Sequence, residues 1–325
     1  MIITRTPLRI SFVGGGSDLP SYYKNGVGSV ISMAINKYIY VSVNKSFSNS
    51  VRVAYSIVEE CANFQEVRHP LVRNSAKRLN IFDGLEVTST ADIPAKGTGL
   101  GSSSAFTVGL LNALNTYKAA VHSKTELAKL ACEVEIDMCH EPIGKQDQYA
   151  AAFGGINVFS FYKNGNVTRK TIEPNPFNLK QFLDSILIYY TGLTRRAESV
   201  LDDQNTKTLN GDNDAILSQM VDLVEPFTAS LVSGDVRQCG EILDANWQLK
   251  KGLSNKISND LIDEIYLEAI SAGACGGKLL GAGAGGFLLF LAPPEKHRSI
   301  SERLGKLQQH FWNIDTLGTT VIHHS

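Results

Sequence analysis

Three glycines and three consecutive serines in PAKGTGLGSSSA, Pro94 to Ala105, are residue types that can build a cradle for phosphate. Gly97, Gly99 and Gly101 tolerate positive φ and close backbone approach, so the N–H groups around Leu100 can turn toward one anion. The apolar run after them reads as a helix whose positive end would face the same point. Ser102, Ser103 and Ser104 fall at that helix start, where a hydroxyl can cap the helix, bind a phosphate oxygen or ligate Mg²⁺. The common P-loop, G-x-x-x-x-G-K-[ST], is excluded because no lysine follows Gly101. A glycine-rich turn with a serine cap is the bland alternative.

Phosphoryl transfer also needs carboxylates, one to accept a proton and one to hold a cation. Residues 123–138 read as a helix opened by a Ser123/Glu126 capping box. On its wheel Glu126, Lys129, Glu133, Asp137 and His140 form a solvated face. Glu135 falls in the middle of the opposite, apolar arc, where a carboxylate is expensive unless paired or bound to metal. Twelve residues on, Asp147 stands between two glutamines in GKQDQ and is open to reading as a proton acceptor, a helix cap or a surface acid. Arg9, in the extended opening segment, can neutralise phosphate charge or pair with Asp147.

A second glycine cluster, GAGAGG from Gly281 to Gly286, matches G-x-G-x-x-G. A dinucleotide fold would need a helix after it, and FLLFL reads as a strand instead. The NAD reading is therefore rejected, and a tight turn approaching a ligand or the first loop remains.

The elements around these residues mix strands and helices throughout, which gives an α/β or α+β class. KYIYVSVNKS, GLEVTSTA, INVFSF, NVTRKTI, DSILIYYTG, GGFLLFLAP and TTVIHH read as strands. Residues 64–80 and 295–309 read as helices, and the pattern is mostly helical from about 195. The change of pattern places a boundary near 185, giving domains 1–185 and 186–325. The 325 residues suffice for one large domain or two ordinary ones. A net charge of −1 supplies no global field for nucleic acid or anionic membrane. Five cysteines without a C-x-x-C pair, no signal-peptide pattern and a longest apolar run of Phe287 to Ala292 point to a cytoplasmic protein outside the membrane.

With these pieces assembled, the sequence resembles the GHMP kinases, which include galactokinase, homoserine kinase and mevalonate kinase. TPLRISFVGGGSD, PAKGTGLGSSSA and KLLGAGAGGFLLFL match the family's three motifs in order, over nearly the whole chain. The resemblance implies an α+β fold, with an N-terminal ribosomal-protein-like α/β domain on a ferredoxin-like C-terminal one and ATP and substrate between them. Carried over by position, Pro94 and Gly97 to Ser104 would hold the ATP phosphates, and Gly281, Gly283 and Gly285 would close the back of the site. Ser103 and Glu135 would ligate Mg²⁺, Asp147 would be the base, and Arg9 would stabilise transferred charge.

Asp18 matches the acid that grips sugar hydroxyls in galactokinase. Where galactokinase has Gly-Glu-His-Thr-Asp, this chain has Gly14-Gly15-Gly16-Ser17-Asp18. Gly15, Gly16 and Ser17 are carried as substrate-side residues, and the loss of the Glu-His pair argues against galactose. Within the family, RTPLRISFVGGGSDLP and EPIGKQDQYAAAFGG most resemble the heptose 7-phosphate kinases and are similar to the L-fucose-phosphorylating enzymes. A sugar phosphate substrate would need a second anion site, with Arg195 and Arg196 leading and Lys24 or Lys145 behind. A sugar-1-kinase for a free sugar and a sensor without catalysis are the competing readings. Oligomeric state is open, a homodimer included.

Overall fold

The protein is described from a computed structural model covering residues 1–82, 84–93, 97–193 and 198–325. Two sheets organise it. Strands β1 (Ile2–Val13), β2 (Gly28–Lys45), β3 (Val51–Ala54), β4 (Val58–Cys61), β5 (Leu85–Ala91), β6 (Ile156–Phe161), β7 (Val167–Thr171) and β12 (Thr320–His324) make the larger. Its main path runs β12-β1-β2-β5-β3-β4, with β6 on the far end of β2 and β7 on β6. Strands β8 (Ile186–Tyr190), β9 (Gly276–Leu279), β10 (Phe287–Leu291) and β11 (Gln308–His310) make the smaller, antiparallel in the order β11-β8-β10-β9.

The smaller sheet begins at Ile186, while the last strand returns to pair with β1. One apolar core lies against the larger sheet around Ile10, Phe12, Val41 and Leu110. A second, around Trp247, Ile262, Leu288 and Phe290, fills the C-terminal half.

Local chemistry accounts for the departures from the expected elements. Residues 64–80 break into a 3₁₀ turn, Phe64–Glu66, and a helix, Pro70–Arg78, because Pro70 can start a helix but cannot continue one. The capping box forms as expected, Ser123 Oγ accepting from the Glu126 N–H, but the α-helix ends at Cys132. Residues Glu133–Met138 continue as a π-helix. The helix expected over 295–309 spans Pro294–Arg303, and β11 comes after it.

One 20-residue helical stretch, Asp214–Ser233, is long and apolar enough by composition to cross a membrane. It carries Asp222 and Glu225 at its middle and turns one face, Leu217, Met220, Val224, Phe227 and Leu231, into the cores while the rest stays exposed or half-buried, as an amphipathic helix does.

Candidate active site

The Ser102–Tyr117 helix packs on β1 and β2 and points its N-terminus at a cavity of about 220 Å³. Gly97, Gly99 and Gly101 all adopt left-handed φ, between +73° and +75°, as the loop reading required. Gly101 precedes the helix, and neither a side-chain cap nor an acid occupies its first turn. The first N–H groups are thus available to an anion.

Arg9 reaches this loop because β1 slips register between Pro7 and Leu8. Proline has no N–H for the ladder, and such a bulge re-aims the side chains after it. Arg9 Nε donates to Asp147 Oδ1 at 2.6 Å and Nη2 to Oδ2 at 2.7 Å, a two-bond fork. Its Nη1 donates to the Gly99 carbonyl at 2.8 Å, tying the pair to the loop. Asp147 sits in the first turn of the Gln146–Phe153 helix.

Asp18 lies across the cavity, buried, and accepts from the Gly16 N–H, the Gln146 N–H and Gln146 Nε2. Burial, with the nearby Asp147 charge second, raises its pKa despite those bonds. Gly144 is required here, since a Cβ would stand 1.9 Å from Asp18 Oδ2.

Glu135 is fully buried, and the π-helix delivers it to the loop. Ser103 Oγ donates to its Oε1 at 2.7 Å and Gln148 Nε2 to its Oε2 at 2.6 Å. Burial pushes its pKa up to about 7 against the opposing bonds from Ser103, Gln148 and Ser104.

Two glycines of the second cluster, Gly281 and Gly286, pack against the first loop. A Cβ on Gly281 would meet Gly99 Cα at 2.2 Å, and one on Gly286 would meet the Thr98 carbonyl oxygen at 2.6 Å. Gly281 lines the cavity, while Gly283 packs on Ile257 and Gly285 on the Leu193 carbonyl.

Arg9, Gly15, Gly16, Asp18, Gly97, Gly99, Leu100, Gly101, Ser102, Ser103, Ser104, Asp147 and Gly281 share the cavity wall. Ser17 does not. It is buried with its hydroxyl donated to the Gly14 and Ser29 carbonyls, so it holds the turn rather than facing a ligand. Lys145 donates to the Gly165 carbonyl and lies over the Tyr23 ring, and Lys24 is exposed. Pro94, Arg195 and Arg196 lie outside the described residues.

Among the wall residues that escaped the sequence reading, four carry polar side chains: Ser11, Gln146, Gln204 and Lys250. Ser11 Oγ, Gln146 Oε1 and Gln204 Nε2, together with Ser102 Oγ, are buried without a hydrogen-bond partner among the described residues. Unpartnered buried polar atoms are uncommon, and their gathering around one cavity is what a polar ligand would satisfy.

A glycine-rich loop at a helix N-terminus, a carboxylate held beside it and unpartnered polar atoms are an arrangement suited to phosphoryl transfer. The chain matches the GHMP kinases N terminal domain over residues 63–155 and the GHMP kinases C terminal domain over 227–308. A D-glycero-alpha-D-manno-heptose 7-phosphate kinase of Campylobacter jejuni is 32% identical over 94% of each chain. A bifunctional fucokinase/GDP-fucose pyrophosphorylase of Arabidopsis thaliana is 27% identical over 92% of this chain and 30% of its own length. The solved D-glycero-D-manno-heptose 1-phosphate kinase of Bacteroides thetaiotaomicron superposes with a TM-score of 0.81 over the whole of both chains, at 23% identity. The chain belongs to the GHMP kinases, phosphotransferases that use ATP and act on an alcohol group.

Proposed function

We propose that this kinase phosphorylates the anomeric hydroxyl of D-glycero-D-manno-heptose 7-phosphate, giving the 1,7-bisphosphate for an activated heptose and surface polysaccharide. The observation that carries the reading is the Arg9–Asp147 fork at the mouth of the phosphate loop, facing Asp18 across one cavity. The 32% identity to the Campylobacter jejuni enzyme supports the choice of sugar.

In this reading the loop amides from Gly97 to Ser104 hold the ATP phosphates, Asp18 and the unpartnered Ser11, Gln146 and Gln204 groups hold the sugar, and the half on the larger sheet, residues 1–185 with the returning β12, faces the half on the smaller sheet across them. The sugar oxygen attacks the γ-phosphorus, the bond to the bridging oxygen breaks, and ADP leaves. The hydroxyl proton passes to Asp147. Each Asp147 oxygen accepts one bond from Arg9 and keeps a lone pair for this. An anomeric hydroxyl is more acidic than an ordinary alcohol, so a carboxylate of modest basicity suffices. Arg9 then offsets charge on the transferred group.

Mg²⁺ would fit Ser103 and Glu135: one buried carboxylate and a hydroxyl supply two of six ligands, and phosphate oxygens and water would complete such a shell. A divalent cation there would neutralise charge on the β- and γ-phosphates. Among the described residues no cluster of three or more His, Cys, Asp or Glu forms a site independent of nucleotide.

A second reading, a kinase for a free sugar, has its own observation. The cations on the described cavity wall are Arg9, bonded to the Gly99 carbonyl of the phosphate loop, and Lys250, bonded to the Gly281 carbonyl of the loop packed against it. The deciding experiment is Mg²⁺-dependent ADP release with the heptose 7-phosphate beside mannose, L-fucose, galactose and sedoheptulose 7-phosphate, with Asp147→Asn as control. Turnover with the heptose phosphate, lost by at least about 10²-fold in the variant, is expected. Turnover confined to a free sugar establishes the second reading, and an active Asp147→Asn removes Asp147 from the chemistry.

A further inference from the structure

The Val236–Gly252 helix buries a stripe of Cys239, Ile242, Leu243, Asn246 and Trp247, and Lys250 continues it at 5% exposure. An ammonium in that position is costly without an anion. Among the described residues its one hydrogen bond goes to the Gly281 carbonyl. An ammonium has three protons to donate, so two remain, on a side chain that lines the cavity.

Lys278 makes the contrast. It is equally buried on β9, but donates to two carbonyls, Ser11 at 2.8 Å and Phe12 at 2.7 Å, and does not line the cavity. Its role is to join the two sheets. Lys250 is joined to the reaction centre instead: Gly281 abuts Gly99, whose carbonyl holds Arg9, which holds Asp147.

We propose that Lys250 is a catalytic residue that donates hydrogen bonds to nonbridging oxygens of the phosphoryl group in transfer, closing the site from the C-terminal half of the chain. The inference rests on the kinase reading. Lys250 keeps its proton throughout; the hydroxyl proton goes to Asp147 and the bridging oxygen leaves with ADP.

The groups whose charge acts on Lys250 are Arg9, Asp18, Asp147 and, from β9, Lys278. Burial first and Arg9 second bring its pKa down to about 8, so free enzyme loses this charge within an accessible pH range.

The test is steady-state kinetics of Lys250→Met and Lys250→Arg on whichever sugar the wild type turns over, with melting curves. Lys250→Met should lower kcat by about 10²–10³-fold, as loss of one preorganised donor does, with sugar KM little changed. In the wild type, kcat/KM should fall as pH rises through about 8, and Lys250→Arg should keep partial activity and move that limb upward. Unchanged kcat, or a rise in sugar KM alone, overturns the proposal. Should Lys250→Met fail to fold, Lys250→Ala with added ethylamine replaces it: rescue supports the role, and an inactive Lys250→Arg without rescue refutes it. A wild type inert toward every sugar strikes the kinase reading instead, so the two failures are distinct.

Discussion

Gly97, Gly99 and Gly101 lead into a helix; Gly281, Gly283 and Gly286 lead into β10, and all six carry positive φ. The first set lines the cavity and leads the chain to a helix N-terminus there. The second contributes bare Cα atoms, which let one loop lie on another. Gly99 takes part in both, because its own Cβ would stand 2.3 Å from the Leu280 carbonyl oxygen. Glycine spacing alone therefore does not distinguish a loop that binds from a loop that braces. The element next in the chain, helix or strand, makes the distinction.

Bracing carries the largest expected effect. Gly281→Ala forces a Cβ to within 2.2 Å of Gly99 Cα at a φ of +78°, and neither backbone can retreat through a rotamer change. A loss of about 3 kcal/mol or more, together with near-complete loss of activity, is expected. Thermal melts beside ADP release check it. A variant with normal melting and normal KM for ATP would mean that the two loops do not touch as described.

Gly101→Ala is the sharper cut on the binding side. Its Cβ would meet Asp147 Oδ2 at 3.1 Å and Arg9 Cγ at 3.4 Å, tighter than usual but not overlapping. The left-handed φ of +74° adds about 1–2 kcal/mol of strain. Displacing the fork should cost activity about 10²-fold, well out of proportion to the stability change. Equal damage in both measurements would make Gly101 a bracing residue like Gly281.

The same contrast explains what could be read in advance. Glu135 was legible because a carboxylate interrupts an apolar arc, and Arg9, Asp147 and the serines were legible from the motifs around them. Lys250 puts a charge at the end of the buried Cys239–Trp247 stripe, and a wheel drawn on that helix exposes it. It belongs to none of the family's three motifs, so a reading led by motifs passes over it.

Other features had no local signal. The π-turn over Glu133–Met138 depends on wide backbone bonds such as Cys139 N–H to the Val134 carbonyl, set by packing and not by residue type. Ser11, Gly144 and Gln204 join the site only through long-range folding, and Ser17 left it because its hydroxyl is used within its own turn. The return of β12 to β1, across more than 300 residues, is likewise invisible to period and propensity.

The smallest expected effect concerns the cost of holding Glu135 ready for a cation. Its folded pKa of about 7 lies above the ordinary 4.5, so the native state binds the extra proton between those values. The contribution of Glu135 to stability is therefore fullest below pH 4.5, falls as pH rises from 4.5 to 7, and stays reduced above 7. Glu135→Gln removes that penalty. The new amide can still accept from Ser103 Oγ, and a flip of the Gln148 side chain would turn its unpartnered Oε1 toward the added NH₂. At pH 8, without nucleotide, the variant should be more stable than the wild type by about 1–2 kcal/mol, with the difference gone below about pH 4.5. Adding ATP and Mg²⁺ should reverse the order, because only the wild type gains a carboxylate ligand for the cation. Melting curves at about pH 4.5 and 8, with and without Mg²⁺ and ATP, separate the cases. A difference independent of pH would show that Glu135 is already ionised and satisfied, and an ATP response equal in both proteins would take it out of the metal site.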